Sequence, residues 1–93
     1  MSANPTPAYP EPTQADQDAM FASVVWFREQ RAAGAFEMYE GMYVAVLGEQ
    51  IIDADRDEDE LVHRLEAKGD AIPPNRVVIQ YVYSVDDVLR YKA

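Results

Sequence analysis

The spacing of apolar residues along this chain changes several times, and each change marks an element. From Asp16 to Arg31 apolar residues recur at helical spacing. Met20, Val24 and Phe27 form one row, Phe21 and Val25 a second, and Trp26 widens the stripe. So broad an apolar face predicts a helix buried against more than one surface, with Asp16 as its cap and Asp18 in the electropositive first turn. Arg28 and Arg31 suit the opposite end, and Gly34 interrupts the pattern. A short further turn is expected over Ala35 to Glu40, closed by Gly41 in a left-handed conformation. Met42 to Leu47 is then an uncharged, β-rich run and the clearest strand. Gly48-Glu49-Gln50 supplies a tight turn, and Ile51 to Arg56 is the returning strand. Strict alternation in that strand places Ile51, Asp53 and Asp55 on one face and Ile52, Ala54 and Arg56 on the other. This is the pattern of an edge strand that becomes exposed towards its end.

Helical spacing resumes from Asp57 to Lys68. Asp57 reads as the N-cap, and Glu60 three residues later completes a capping box. Leu61, Val62 and Leu65 face inward, and Glu60 and Arg64 stand at i, i+4 spacing for an ion pair. Gly69 closes the helix and Pro73-Pro74 prevents its resumption. Val77 to Tyr83 is the third strand. Val77, Ile79, Tyr81 and Tyr83 occupy one face, while Val78 and Val82 flank Gln80 on the other. Both faces are largely apolar, so both should be covered. Ser84 with Asp87 would cap a short last helix, Val85 to Tyr91.

The predicted order is α-β-β-α-β-α, an α+β fold. The tight hairpin makes the first two strands antiparallel. A right-handed crossover through the second helix lays the third strand beside the first, antiparallel to it. The expected sheet is therefore small, three-stranded and antiparallel, in the order 2-1-3, with helices packed on it. One face takes the 57–68 helix. The other takes the N-terminal helix, the last helix or a second subunit.

Ninety-three residues with 48% hydrophobic content fit a single folded domain. Pro5, Pro7, Pro10 and Pro12 make residues 1–15 an extended, disordered tail, or else a proline-motif ligand, and leave 16–93 as the domain. A domain of that size buries only about 60% of its unfolded surface, so a partner or a homodimer is expected. The net charge is −9, from 8 basic and 17 acidic residues. That charge opposes binding to phosphate backbones and to anionic membranes, so neither nucleic acid nor membrane is an expected partner. With no cysteine there is no disulfide framework, thiol nucleophile or zinc–thiolate site. No stretch approaches the length of a membrane span, and a cytoplasmic location is the expectation.

Six of the acids, Asp53, Asp55, Asp57, Glu58, Asp59 and Glu60, crowd one corner. Asp53, Asp55 and Asp57 have the one-three-five spacing of a calcium loop. The rest of that template fails, because Glu58 stands where glycine is needed and Arg64 where the bidentate glutamate belongs. Asp57 to Glu60 is explained as a helix start, which favours negative charge. The lone histidine, His63, has Asp59 and Glu60 one turn back, which on an exposed face is ordinary surface electrostatics. Ser23 and Ser84 lie in no nucleophile elbow, and the four glycines do not cluster into a phosphate loop. No catalytic, cofactor or metal residues are assigned.

The segment YEGMYVAVLGEQIIDADRDEDELVHRLEAKG resembles the short prokaryotic domain-of-unknown-function family numbered 5678. Tyr39, Gly41, Tyr43, Val44 and Ala45 carry the first strand of the resemblance, and Ile51-Ile52 the second. Asp57, Glu60, Leu61 and Leu65 carry the helix, and Val77 to Val82 the last strand. Met42 departs from the lysine usual in the family. The resemblance spans Tyr39 to Val82 and implies a fold, with no activity or catalytic residue to transfer.

The expected function is that of a small, soluble, non-enzymatic protein-interaction or oligomerisation module, with a homodimer as the simplest assembly. An alternative is an acidic, antitoxin-like regulatory partner that covers a basic site on another protein. A small enzyme with an unrecognised pocket is the third reading. The candidate interaction surface comprises Val77, Ile79, Tyr81 and Tyr83 of the third strand, with Asp53, Asp55, Asp57 and Asp59 of the acidic corner.

Overall fold

The first helix is set by a reciprocal box at its start. In the computed structural model, which describes residues 11–84, α1 spans Gln14–Ala32 and is capped by Thr13, earlier than the expected Asp16 cap. The Thr13 hydroxyl accepts from the Asp16 amide at 3.1 Å, and Asp16 Oδ2 accepts from the Thr13 amide at 3.0 Å. Asp16 is thus the acidic partner within the box and not its cap. Its other oxygen accepts from Arg76 Nε at 2.7 Å, which fixes the start of α1 to the loop before the third strand. The proline-rich stretch up to residue 10 and the helix expected at Val85–Tyr91 lie outside the described residues.

The buried stripe of α1 is narrower than its apolar rows suggest. Phe27 is buried, Val24, Val25 and Trp26 are half-buried, and Phe21 is 72% exposed. Ser23 takes a central place instead, at 1% exposure. After α1 the chain turns through a single 3₁₀ turn, Glu37–Tyr39, before entering the sheet. Phe36 begins that turn with φ 72°, a left-handed conformation unusual for a bulky residue. Its ring explains why the conformation is held. It lies 5.6 Å from Phe27 in a stacked pair, 5.5 Å from Trp26 and 6.2 Å from Tyr39. Gly41 follows at φ 79°, as the left-handed position predicts.

Among the described residues three strands form the sheet: β1 Tyr43–Val46, β2 Ile51–Asp55 and β3 Val78–Tyr81. Their order is β2-β1-β3, and both neighbours are antiparallel to β1, as the hairpin and crossover argument requires. Gly41 N–H to Val82 O (2.8 Å) and Val82 N–H to Met42 O (2.9 Å) extend the β1–β3 ladder beyond the regular strands.

One irregularity corrects the expected facing of β2. Val44 pairs with Ala54 and Ala45 with Asp53, yet Val46 pairs with Ile51, so one extra residue bulges between Asp53 and Ile51. Ile51 is therefore turned to the same side as Ala54 and packs on the core, whereas Asp53 and Asp55 stay on the other side. Strict alternation would have left an isoleucine beside two aspartates; the bulge removes it.

The two faces are covered by different helices. Phe27 of α1 joins Val44, Val46 and Val82 in the main core, bordered by Trp26, Phe36, Tyr39, Ile51 and Ala54. The opposite face carries Tyr43, Ala45, Asp53, Asp55, Ile79 and Tyr81, as the pairing register dictates. It is covered by α2, Glu58–Ala67, which packs over β2 and β1 through fully buried Leu61. Burying a large aliphatic side chain is worth about 1.5–3 kcal/mol, so these few contacts dominate a small core. Arg31, near the end of α1, closes the first face by donating to Tyr83 O at 2.6 Å, Glu40 Oε1 at 3.2 Å and Ala35 O at 3.3 Å. No helix among the described residues is long and apolar enough to cross a membrane.

Candidate functional site

The acidic corner and the apolar face of β3 meet α2 on different sides, and the helix itself explains the separation. Asp57 caps α2, its carboxylate accepting from the Asp59 amide at 2.9 Å and the Glu60 amide at 3.4 Å. The other half of the expected box is not made by Glu60. The Asp57 amide donates to Asp55 Oδ1 at 2.8 Å. Nor is the expected Glu60–Arg64 pair the use made of Arg64. Its guanidinium reaches back to β2, with Nε to Asp53 Oδ2 and Nη2 to Asp53 Oδ1 both at 3.1 Å, Nη1 to Asp55 Oδ2 at 2.7 Å, and Nη2 to Ala54 O at 3.0 Å.

This fork-on-carboxylate geometry is the strong form of the arginine ion pair. The Arg64 hydrogen bonds hold the Asp53 carboxyl below its ordinary range. For Asp55 the leading cause is the Asp57 amide, followed by Arg64. Arg64 is in turn shifted upward, first by Asp53 and then by Asp55. Two of the three carboxylates with calcium-loop spacing thus converge on a cation that the chain itself supplies, and the third caps a helix. Asp59 is exposed in the first turn of α2. Among the described residues no group of three or more His, Cys, Asp or Glu side chains is disposed to hold a metal. His63 is exposed on α2.

On the other side of α2 lies a cleft of about 240 Å³. The helix contributes Val62, Leu65 and Glu66, which stand at i, i+3 and i+4 and so share one edge, and Gly69 follows in the 3₁₀ turn Gly69–Ala71 just beyond it. Val77 and Ile79 form the opposing wall, and Ile72, Pro74 and Asn75 of the connecting loop close one end. The cleft exists because α2 lies over β2 and β1 while β3 extends beyond it. It is smaller than the roughly 300–1,000 Å³ usual for small-molecule sites.

Further along the same face the tyrosines form a ladder. Tyr43 and Tyr81 are cross-strand partners with ring centroids 4.9 Å apart, and Tyr83 meets Tyr81 edge-on at 5.0 Å. Tyr83, at the end of this ladder, is 51% exposed.

Of the sequence-derived surface residues, Val77 and Ile79 therefore meet in the cleft, and Tyr81 and Tyr83 continue their face. Asp53, Asp55 and Asp57 are engaged within the chain. The periodicity of β3 alone did not reveal Tyr43 as part of the ladder, nor Ile72 and Glu66 as parts of the cleft. The spacing of Val62, Leu65 and Glu66 was the available signal for the helical edge.

A hairpin, a crossover helix and a third strand laid against the first define a small α+β domain with β3 at one edge of its sheet. The chain belongs to the family of unknown function DUF5678, whose model matches residues 35–82. The matched segment begins beside Phe36 and ends at Val82. It takes in the whole sheet and α2 and leaves α1 outside. No curated protein and no solved structure matches the chain.

Proposed function

We propose that the protein is a non-enzymatic protein-interaction module that forms a homodimer through the tyrosine end of β3. The observation that supports this is the position of the ladder. It crosses from Tyr43 on central β1 to Tyr81 on an outer strand of four uncharged residues, VIQY, and ends on half-exposed Tyr83. Tyrosine combines an apolar body with a polar tip and is favoured at the centres of interfaces. A sheet margin of this kind is a hazard to a small domain unless a partner covers it. Size-exclusion chromatography with light scattering at tens of micromolar tests the reading. A dimer is expected, and Tyr83→Asp should return it to monomer with an unchanged circular dichroism spectrum. A monomeric wild-type protein overturns the homodimer.

The acidic-partner reading has its own support in the first turn of α2, where Glu58, Asp59 and Glu60 are all exposed. It rests on these residues and not on Asp53 and Asp55, whose charge Arg64 offsets.

A further inference from the structure

The cleft between α2 and β3 differs from the tyrosine end of the face in its charge. Its walls are apolar, formed by Val62, Leu65, Ile72, Pro74, Val77 and Ile79, and among the described residues the one ionisable side chain lining it is Glu66. The helical row that builds the cleft edge continues backwards from Val62 to Glu58 and Asp59, which precede it by four and three residues. Acid therefore stands along the cleft edge and beyond its end.

Among the described residues, the cations around α2 are directed elsewhere. Arg64 is committed to Asp53 and Asp55, and Arg76 to Asp16. Lys68 is one turn beyond Arg64 on the same side of the helix, and its charge acts on Asp53. The helix is thus divided, with cations directed to β2 and acids along the cleft.

We propose that this cleft docks a short amphipathic segment of another protein, apolar on one side and carrying Lys or Arg on its flank. The apolar side chains would enter between α2 and β3. The flanking cations would meet Glu66 and the Glu58–Asp59 pair, which are separated by about 12 Å along the helix axis. A second copy of this chain is a poorer occupant, because it brings a further net charge of −9 to an acidic edge. The proposal rests on the interaction-module reading but not on the homodimer.

The test is a titration of the full-length protein with short synthetic peptides, followed by methyl NMR and fluorescence anisotropy. The first peptide alternates leucine and lysine in helical amphipathic order. The second replaces lysine by glutamate, and the third replaces leucine by serine. The leucine–lysine peptide is expected to shift the methyl resonances of Ile72 and Ile79 and to lose affinity as salt is raised. The other two should bind far more weakly. Glu66→Lys should weaken binding by about fivefold, while Glu29→Lys, on the exposed side of α1, should leave it within twofold. Any one of four results overturns the proposal: no binding, equal binding of the leucine–glutamate peptide, methyl shifts confined to other residues, or insensitivity to Glu66→Lys. Self-association that occupies the Ile72 and Ile79 methyls would overturn it in favour of a second copy. A monomeric protein that binds the peptide as described would sink the homodimer and leave this proposal standing.

Discussion

The Ser23 hydroxyl accepts a hydrogen bond from the Gly48 amide at 2.9 Å and donates one to Ala19 O at 3.1 Å. One buried serine thereby ties the middle of α1 to the tip of the β1–β2 hairpin, across 25 residues of sequence. Gly48 occupies the turn at φ 62°, so its amide is aimed by a conformation that glycine adopts freely. Ser23→Ala removes the acceptor and leaves a donor without its partner. The expected cost is about 1–2 kcal/mol, read as a lower urea midpoint. Faster hydrogen exchange at the Gly48 amide should accompany it. An unchanged Gly48 exchange rate would show that the bond does not hold the turn.

A second prediction concerns Phe36. Its left-handed backbone costs roughly 1–2 kcal/mol for any residue with a Cβ, and its ring contacts with Phe27, Trp26 and Tyr39 offset that cost. Phe36→Ala loses the ring and keeps the strain. Phe36→Gly loses the ring and relieves the strain. Glycine should therefore be the milder substitution by about 1 kcal/mol in chemical denaturation, the reverse of the usual order. Equal or greater destabilisation by glycine would show that the conformation is not strained.

The corner at Arg64 predicts the acid limb of the stability curve. Folding lowers the carboxyl groups of Asp53, Asp55 and Asp16 below their ordinary value of 3.8. Asp16 is lowered first by the Thr13 amide and then by Arg76. A lowered folded-state value means that the unfolded chain binds protons first as the pH falls. The stabilisation is complete above the ordinary carboxylate range. It is lost as the pH drops from about 4 through the lowered values. Arg64→Met should flatten this limb and lower the thermal midpoint at neutral pH more than at pH 3. A parallel shift at both pH values would show that Arg64 acts by packing and not by charge.

Gly41 supplies a test of the entry to β1. Its φ is 79°, and an added Cβ would lie 3.2 Å from Arg56 Nη1. The neighbour is the far end of a flexible side chain and can move, so the backbone term decides. Gly41→Ala should cost about 1–2 kcal/mol in a urea titration, and Arg56→Ala in the same background should recover little of it. Full recovery would assign the cost to the contact instead.

Much of the fold was legible in the residues because it rests on local chemistry. The helical rows of α1 and α2, the uncharged β1, the Asp57 cap and the left-handed glycines at 41 and 48 each follow from neighbours a few positions apart. The 2-1-3 order followed as well, from one tight hairpin and one right-handed crossover. The site was less legible. Asp53 and Asp55 read as a solvated corner because their partner, Arg64, is distant in sequence by eleven and nine residues and had a nearer candidate in Glu60. The facing of Ile51 departs from strict alternation, because a bulge leaves no mark in a period-two pattern.

Within residues 11–84 the order of residues alone was enough to place the helices and strands, the Asp57 cap of α2 and the three strands that share a sheet, while the cap of α1 fell at Thr13 and not at Asp16. The tertiary structure decided what those elements do to one another. It set the bulge that turns Ile51 to the core, the choice of Arg64 between Glu60 and the β2 aspartates, and the placement of Ser23 under the hairpin. It also placed α2 over β2 and β1, leaving β3 with a cleft and a tyrosine ladder. These outcomes depend on register and distance between segments far apart in the chain. Spacing along the chain carries no measure of either until the elements pack.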